Sequence, residues 1–122
     1  MNAKTKLDSE TRNLEHVRQI AHDIEHGLPM EEHHDGFDPD YPDQLMNGFE
    51  WLNDGLDVEY ITNRDGTFKS ARVCVAFGGP TIWVDFSRGV VELWWWGEYA
   101  KASFYSDPME IEDCLSAMWE CK

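Results

Sequence analysis

The sequence predicts an α+β fold, with two N-terminal helices, a four- to five-stranded antiparallel meander and one C-terminal helix packed on the sheet. Three observations carry this. Apolar residues recur at a helical period up to about residue 53 and alternate from Asp57 onwards. Short turn signatures, Arg64-Asp65-Gly66, Gly78-Gly79-Pro80 and Ser87-Arg88-Gly89, divide the alternating part. A cap followed by proline, Ser106-Asp107-Pro108, then opens a last helical pattern.

The first helix is expected over Ser9 to His26, because Leu14, Val17, Ala21, Ile24 and Leu28 form one stripe. Gly27 ends it and Pro29 prevents continuation. Residues 29–42 read as an acidic loop rich in Pro, Gly and Asp. A shorter helix follows over Asp43 to Asn53, with Leu45, Phe49 and Leu52 on one side and Gly48 as a weak point. The strands are expected in DVEYITN, TFKSARVCVAF, TIWVDF, VVELWWWG and YAKASFY. In the last helix, from Ser106 and Asp107, Ile111, Cys114, Leu115 and Met118 should face the sheet. All 122 residues form one domain in this reading, with residues 1–8 as a flexible N-terminus.

Alternation also sorts the consecutive tryptophans Trp94, Trp95 and Trp96. If Trp95 points inward with Val91 and Leu93, then Trp94 and Trp96 point outward with Glu92. On the neighbouring strand Ile82, Val84 and Phe86 point inward and Trp83 outward with Thr81 and Asp85. Trp83, Trp94 and Trp96 would then share the face away from the helices. Either the 29–42 loop covers them, or they form an interface, including a homodimer face, or they line a small-ligand pocket.

Composition limits function more than it names it. A hydrophobic share of 42% and six tryptophans exclude a disordered chain, and no apolar run approaches a membrane span. Three cysteines without metal-ligand spacing, which fall on apolar faces and read as core, fit reduced thiols in a cytoplasmic protein. Ten Lys and Arg against 24 Asp and Glu leave a net charge of −14. Such a charge opposes direct binding to nucleic acid or to an anionic membrane, and complements a basic protein surface. Between Arg18 and Arg64 there are twelve acids and no Lys or Arg. A second basic-free stretch, Ala102 to Cys121, holds Asp107, Glu110, Glu112, Asp113 and Glu120. The acids serve solubility, a basic partner or a divalent cation.

Local motifs offer weaker chemistry. His22, Glu25 and His26 match the H-x-x-E-H pattern of a zinc protease, with two imidazoles one turn apart and a general base between them. Both histidines, however, fall opposite the apolar stripe, and adventitious metal binding with His33 or His34 is the plainer use. The Asp-rich loop lacks EF-hand spacing, and the Gly78-Gly79-Pro80 turn lacks the Lys of a phosphate loop. Asp85 and Glu92 could face one another across a hairpin, and without a cleft they read as two solvated acids. No cofactor is expected.

The segment VCVAFGGPTIWVDFSRGVVELWWWGEYA, residues 73–100, resembles small acidic proteins of bacteriophages and other mobile elements, in which GGP precedes a strand, a turn and a strand ending in paired aromatics. That resemblance implies a phage, prophage or plasmid neighbourhood and carries no activity of its own, and compact, strongly acidic proteins of that neighbourhood look like inhibitors of host defence, including anti-CRISPR and anti-restriction proteins. The expected function is therefore a non-enzymatic protein that occupies a basic, nucleic-acid-binding surface. Glu31, Glu32, Asp35, Asp38, Asp40 and Asp43, with Glu110, Glu112 and Asp113, would stand in for phosphates. Trp83, Trp94 and Trp96 would anchor the complex. The alternatives are an immunity or antitoxin protein that neutralises a basic toxin, and a metal-dependent hydrolase built on His22, Glu25 and His26.

Overall fold

A computed structural model describes residues 3–31 and 36–122 of the chain, residues 3–7 by their backbone alone. Helix α1 (Ala3–His26) and the short α2 (Gly48–Asn53) precede strands β1 (Asp57–Thr62), β2 (Phe68–Ala76), β3 (Thr81–Asp85), β4 (Val90–Trp95) and β5 (Glu98–Ser103), and α3 (Ile111–Glu120) follows. The five strands form one antiparallel sheet in the order β1-β2-β3-β4-β5, so the α+β meander is as expected. No helix among the described residues is long and apolar enough to cross a membrane.

The core lies between the helices and one face of the sheet. Val17, Ala21 and Ile24 of α1 pack with Val73, Ile82, Val84, Val91 and Leu93 and with Ile111 and Leu115 of α3. Full burial of each Val, Ile or Leu removes apolar surface worth roughly 1.5–3 kcal/mol. Polar contacts fix α1 on the edge strand β5: Ser9 Oγ and Asn13 Nδ2 both donate to Glu98 Oε2 at 2.9 Å. At its other end Gly27, at φ 82°, closes the helix by donating its N–H to the Asp23 carbonyl.

The helix starts differ from the sequence reading, each for a tertiary or capping reason. Residues 3–8 belong to α1, which begins at Ala3 and not at Ser9. α2 starts at Gly48 and not at Asp43, because Leu45 bridges to Pro29 and Met46 and Met30 pair with Leu28 and Gln44 through their backbones. Asn47 is its cap: the side chain accepts from the Glu50 N–H and donates to the Glu50 carboxylate. Leu45 and Phe49 are exposed, while Trp51 and Leu52 pack on the core. α3 begins at Ile111, after Glu110 at φ 57°, and the two Asp107 oxygens cap it by accepting from the Ile111 and Glu112 amides at 3.0 Å. Met118 does not face the sheet; it is exposed, and Trp119 packs there on Tyr60 with 5.0 Å between ring centroids.

Gly48 is where α2 meets α3. A Cβ at this position would lie 2.8 Å from the Ile111 Cα and 2.8 Å from the Cys114 Sγ, so only glycine permits the approach. Cys114 accordingly faces α2. Gly48→Ala should destabilise the protein by about 1–3 kcal/mol, read as a lower urea midpoint at unchanged slope. A variant as stable as the parent would show that the two helices separate at little cost.

Candidate interaction surface

All three helices cover one face of the sheet, and the opposite face carries the outward side chains of every strand. Register places Thr81 opposite Trp94, Trp83 opposite Glu92, and Trp94 opposite Tyr99. Trp83 is half-buried beneath the Arg72 guanidinium, 4.4 Å above its ring. Trp94 is 40% exposed and Tyr99 50%, their ring centroids 5.5 Å apart. Trp83 and Trp94 therefore lie on the face read from alternation. The chain on either side of the unassigned stretch, Leu28 to Glu31 and Gly36 to Met46, is tied to itself and to the end of α1, through Met30–Gln44, Met46–Leu28 and the contact of Leu45 with Gly27.

Trp96 departs from that face. β4 ends at Trp95, and Trp96-Gly97 forms the two-residue loop of the β4–β5 hairpin, between the paired residues Trp95 and Glu98. Both loop residues have positive φ, 51° and 79°, the geometry of a type I′ turn. Glycine adopts it freely, but tryptophan there carries a strain of roughly 1–2 kcal/mol. The ring is 82% exposed and leans edge-on against Trp95, which packs inward over Gly79. Trp96 thus combines backbone strain with an exposed apolar surface, and neither benefits the isolated fold. Such outliers point from structure towards function.

Between the aromatics lies a polar cluster that the sequence reading took for two solvated acids. Asp85 and Glu92 are instead buried, at 5% exposure each. Asp85 Oδ1 accepts from the Ser87 amide and hydroxyl and from the Arg88 amide, which closes the β3–β4 turn. Arg88 Nε donates to Asp85 Oδ2 at 2.9 Å, and its terminal nitrogen donates to Glu92 Oε1. The Tyr99 hydroxyl donates to Glu92 Oε2. All four carboxylate oxygens are engaged, so the pair is structural and not an acid–base couple. Burial pushes Asp85 up, but the bonds from Ser87 and Arg88 together outweigh it and hold its pKa below the ordinary value. Burial, followed by the bond to Glu92, raises the Tyr99 hydroxyl.

The acids expected to meet a partner divide into several groups. Glu32 and Asp35 lie outside the described residues, as do His33 and His34. Glu31, Asp40, Asp43, Glu110 and Asp113 are exposed. Asp38 is half-buried and organises its own loop by accepting from the Asp40 amide. Glu112 accepts from the Ser70 hydroxyl at 2.6 Å and so ties α3 to β2. Because Gly48 seats α2 on α3, Glu50 of the basic-free stretch and Glu110 and Asp113 belong to adjoining helices. Exposed Tyr41, Leu45 and Phe49 lie in the same segment. The sequence reading puts Leu45 and Phe49 on the apolar side of a helix over Asp43 to Asn53 and singles out neither Tyr41 nor Tyr99; with α2 starting at Gly48 instead, Leu45 and Phe49 are exposed.

The histidine motif resolves differently. His22 and His26 are exposed and lie against each other, with 4.4 Å between ring centroids. Glu25 accepts from the Tyr105 amide at 2.9 Å, and its carbonyl accepts from the Ser106 hydroxyl. Its carboxylate fastens α1 to the segment before α3. Among the described residues no group of three His, Cys, Asp or Glu could hold a metal ion. The cysteines are not uniformly core: Cys74 is buried, Cys114 half-buried and Cys121 exposed.

Two outcomes are expected. Since the folded pKa of Asp85 is depressed, its stabilisation is complete above the unfolded value of about 3.9 and is lost as pH falls through the folded value. Acid unfolding below about pH 4 should therefore be shallower in Asp85→Asn, which should itself lose about 2–3 kcal/mol at neutral pH. An unchanged acid limb would show that other carboxylates dominate it. Trp96→Asn, which suits a type I′ turn, should raise stability by about 1 kcal/mol in urea denaturation; a loss would mean that the Trp95–Trp96 contact outweighs the strain. No protein-family model matches this chain, and neither does any curated protein or solved structure.

Proposed function

We propose that this chain is a non-enzymatic binding protein of a phage or mobile element that inhibits a host defence system by occupying a basic, nucleic-acid-binding surface. The observation that supports it most is the seating of Gly48 on α3. This joins the segment without Lys or Arg to the acids of the last helix. Exposed Asp40, Asp43, Glu110 and Asp113 supply the charge, and Tyr41 and Phe49 between them supply apolar surface that charge alone does not. Complementary charge speeds association and makes it sensitive to salt. Trp94 on the other side of the sheet and Trp96 on the β4–β5 hairpin loop add aromatic surface, suited to a second contact or to a homodimer. An immunity protein against a basic toxin would use the same acids and differ only in partner. The hydrolase reading gains no support from Glu25, whose Oε1 accepts from the Tyr105 amide and whose Oε2 lies 3.5 Å from His26, with no third ligand grouped there among the described residues.

The test is phage plating on bacteria that carry a restriction or CRISPR system, with and without this protein expressed. Plating should rise by orders of magnitude, and the purified defence complex should be retained by tagged protein at low salt, released at high salt and competed by duplex DNA. A variant with Asp40→Asn, Asp43→Asn, Glu110→Gln and Asp113→Asn should fold normally and lose both effects. Undiminished binding by that variant would overturn the acidic mechanism, and unchanged plating across such systems would overturn the inhibitor reading. Binding that resists salt but is lost in Trp94→Ala with Trp96→Ala would transfer the site to the aromatic face.

A further inference from the structure

A cleft of about 280 Å³ opens on the helix side of the molecule, between α1, α2 and the end of the sheet where β2 turns into β3. Its walls are apolar: Ile20, Leu28, Met46 and Trp51, over a floor that includes Ile82. Asp23 and Asp54 stand in the same lining, together with His16, and no Lys or Arg does. Asp23 Oδ1 accepts from the Gln19 side-chain amide at 2.9 Å and lies 3.8 Å from His22 Nδ1, and its other oxygen has no bond among the described residues. The exposed Asp54 carboxylate has no partner among those residues either, since the residue caps α2 through its backbone alone.

An apolar cleft with an aromatic wall and two carboxylates of the same sign selects a particular ligand. An anion is repelled, and a neutral apolar molecule leaves the carboxylates unanswered. A compact ammonium group is attracted by the carboxylates, while its hydrocarbon part fills the apolar walls, the Trp51 side chain among them. At about 280 Å³ the space falls just below the range of drug-sized pockets, so it suits one ring or a short alkyl chain. We infer that this cleft is a binding site for a small primary amine with an apolar body, one that uses none of Asp40, Asp43, Glu110, Asp113, Trp94 or Trp96. The inference does not rest on the inhibitor reading, because it needs no protein partner.

The chain is small enough for residue-level NMR, and phenethylammonium is the probe. Its addition should produce saturable shifts at Ile20, Met46, Ala76 and the Trp51 indole, while phenylacetate and 2-phenylethanol at equal concentration should leave them in place. Asp54→Asn, on an exposed side chain, should weaken binding about tenfold, equivalent to about 1.4 kcal/mol. Ala76→Leu, with a folded spectrum, should abolish it by filling the space. The inference fails if no shift saturates, if phenylacetate binds equally well, or if Asp54→Asn binds like the parent. None of these results bears on phage plating, so the two readings stand or fall separately.

Discussion

Arg88 holds two carboxylates that the sheet has already buried, and the bare face of the sheet is organised around it. With every described helix on one side, no element among the described residues covers the other, and side chains there exclude water from the strands. Asp85 and Glu92 do this only because the guanidinium reaches both of them. Removing the guanidinium, which is itself more than half exposed, leaves two buried carboxylates without their cation. Asp85 also closes the turn that delivers Arg88, so the loop and the clamp form together or not at all. Tyr99 completes the set from β5 and lies against Trp94, which links the polar cluster to the aromatic one.

Much of this could be read from the sequence, and the failures share a cause. The period-2 pattern fixed which side of each strand faces the helices, because one slip would have moved Val84, Val91 and Leu93 into water. The stripe of α1 and its glycine stop were equally plain. The helix starts were not, since they depend on partners remote in space or a turn away. Leu45 pairs with Pro29 instead of joining α2, and Asp107 caps a helix that begins four residues later. Trp96 was assigned to the strand because alternation has no means of announcing that a hairpin will close on Trp-Gly. The burial of Asp85 and Glu92 was invisible for a related reason: whether an outward acid is solvated depends on which cation lies across the strands.

Charge is divided between the two sides of the molecule as a consequence. Arg72, Arg88 and Lys101 all lie on the strands or turns of the bare face, where Glu59, Asp85 and Glu92 answer them. The segment between Arg18 and Arg64 has twelve acids and no Lys or Arg of its own, with Glu59 among the twelve meeting Arg72 across the sheet, and α3 adds more acids. Concentrating charge of one sign raises self-repulsion in the folded state. A fold selected for stability alone would have spread its ten cations more evenly. The uneven distribution makes the helix side the strongly negative surface and leaves the sheet side nearly balanced and aromatic.

These two surfaces suit different kinds of contact. A negative surface draws a basic partner from a distance and weakens as salt screens it, with a Debye length of about 8 Å at physiological ionic strength. Aromatic rings act only on contact, are indifferent to salt, and lengthen the life of a complex more than they speed its formation. Strain at Trp96 fits the second role, because a ring held rigidly on a turn loses little freedom when it is buried. The same geometry opposes the stability of the free protein, because a positive φ suits tryptophan poorly. It separates Trp96, exposed on the turn, from its neighbour Trp95, which packs inward over Gly79.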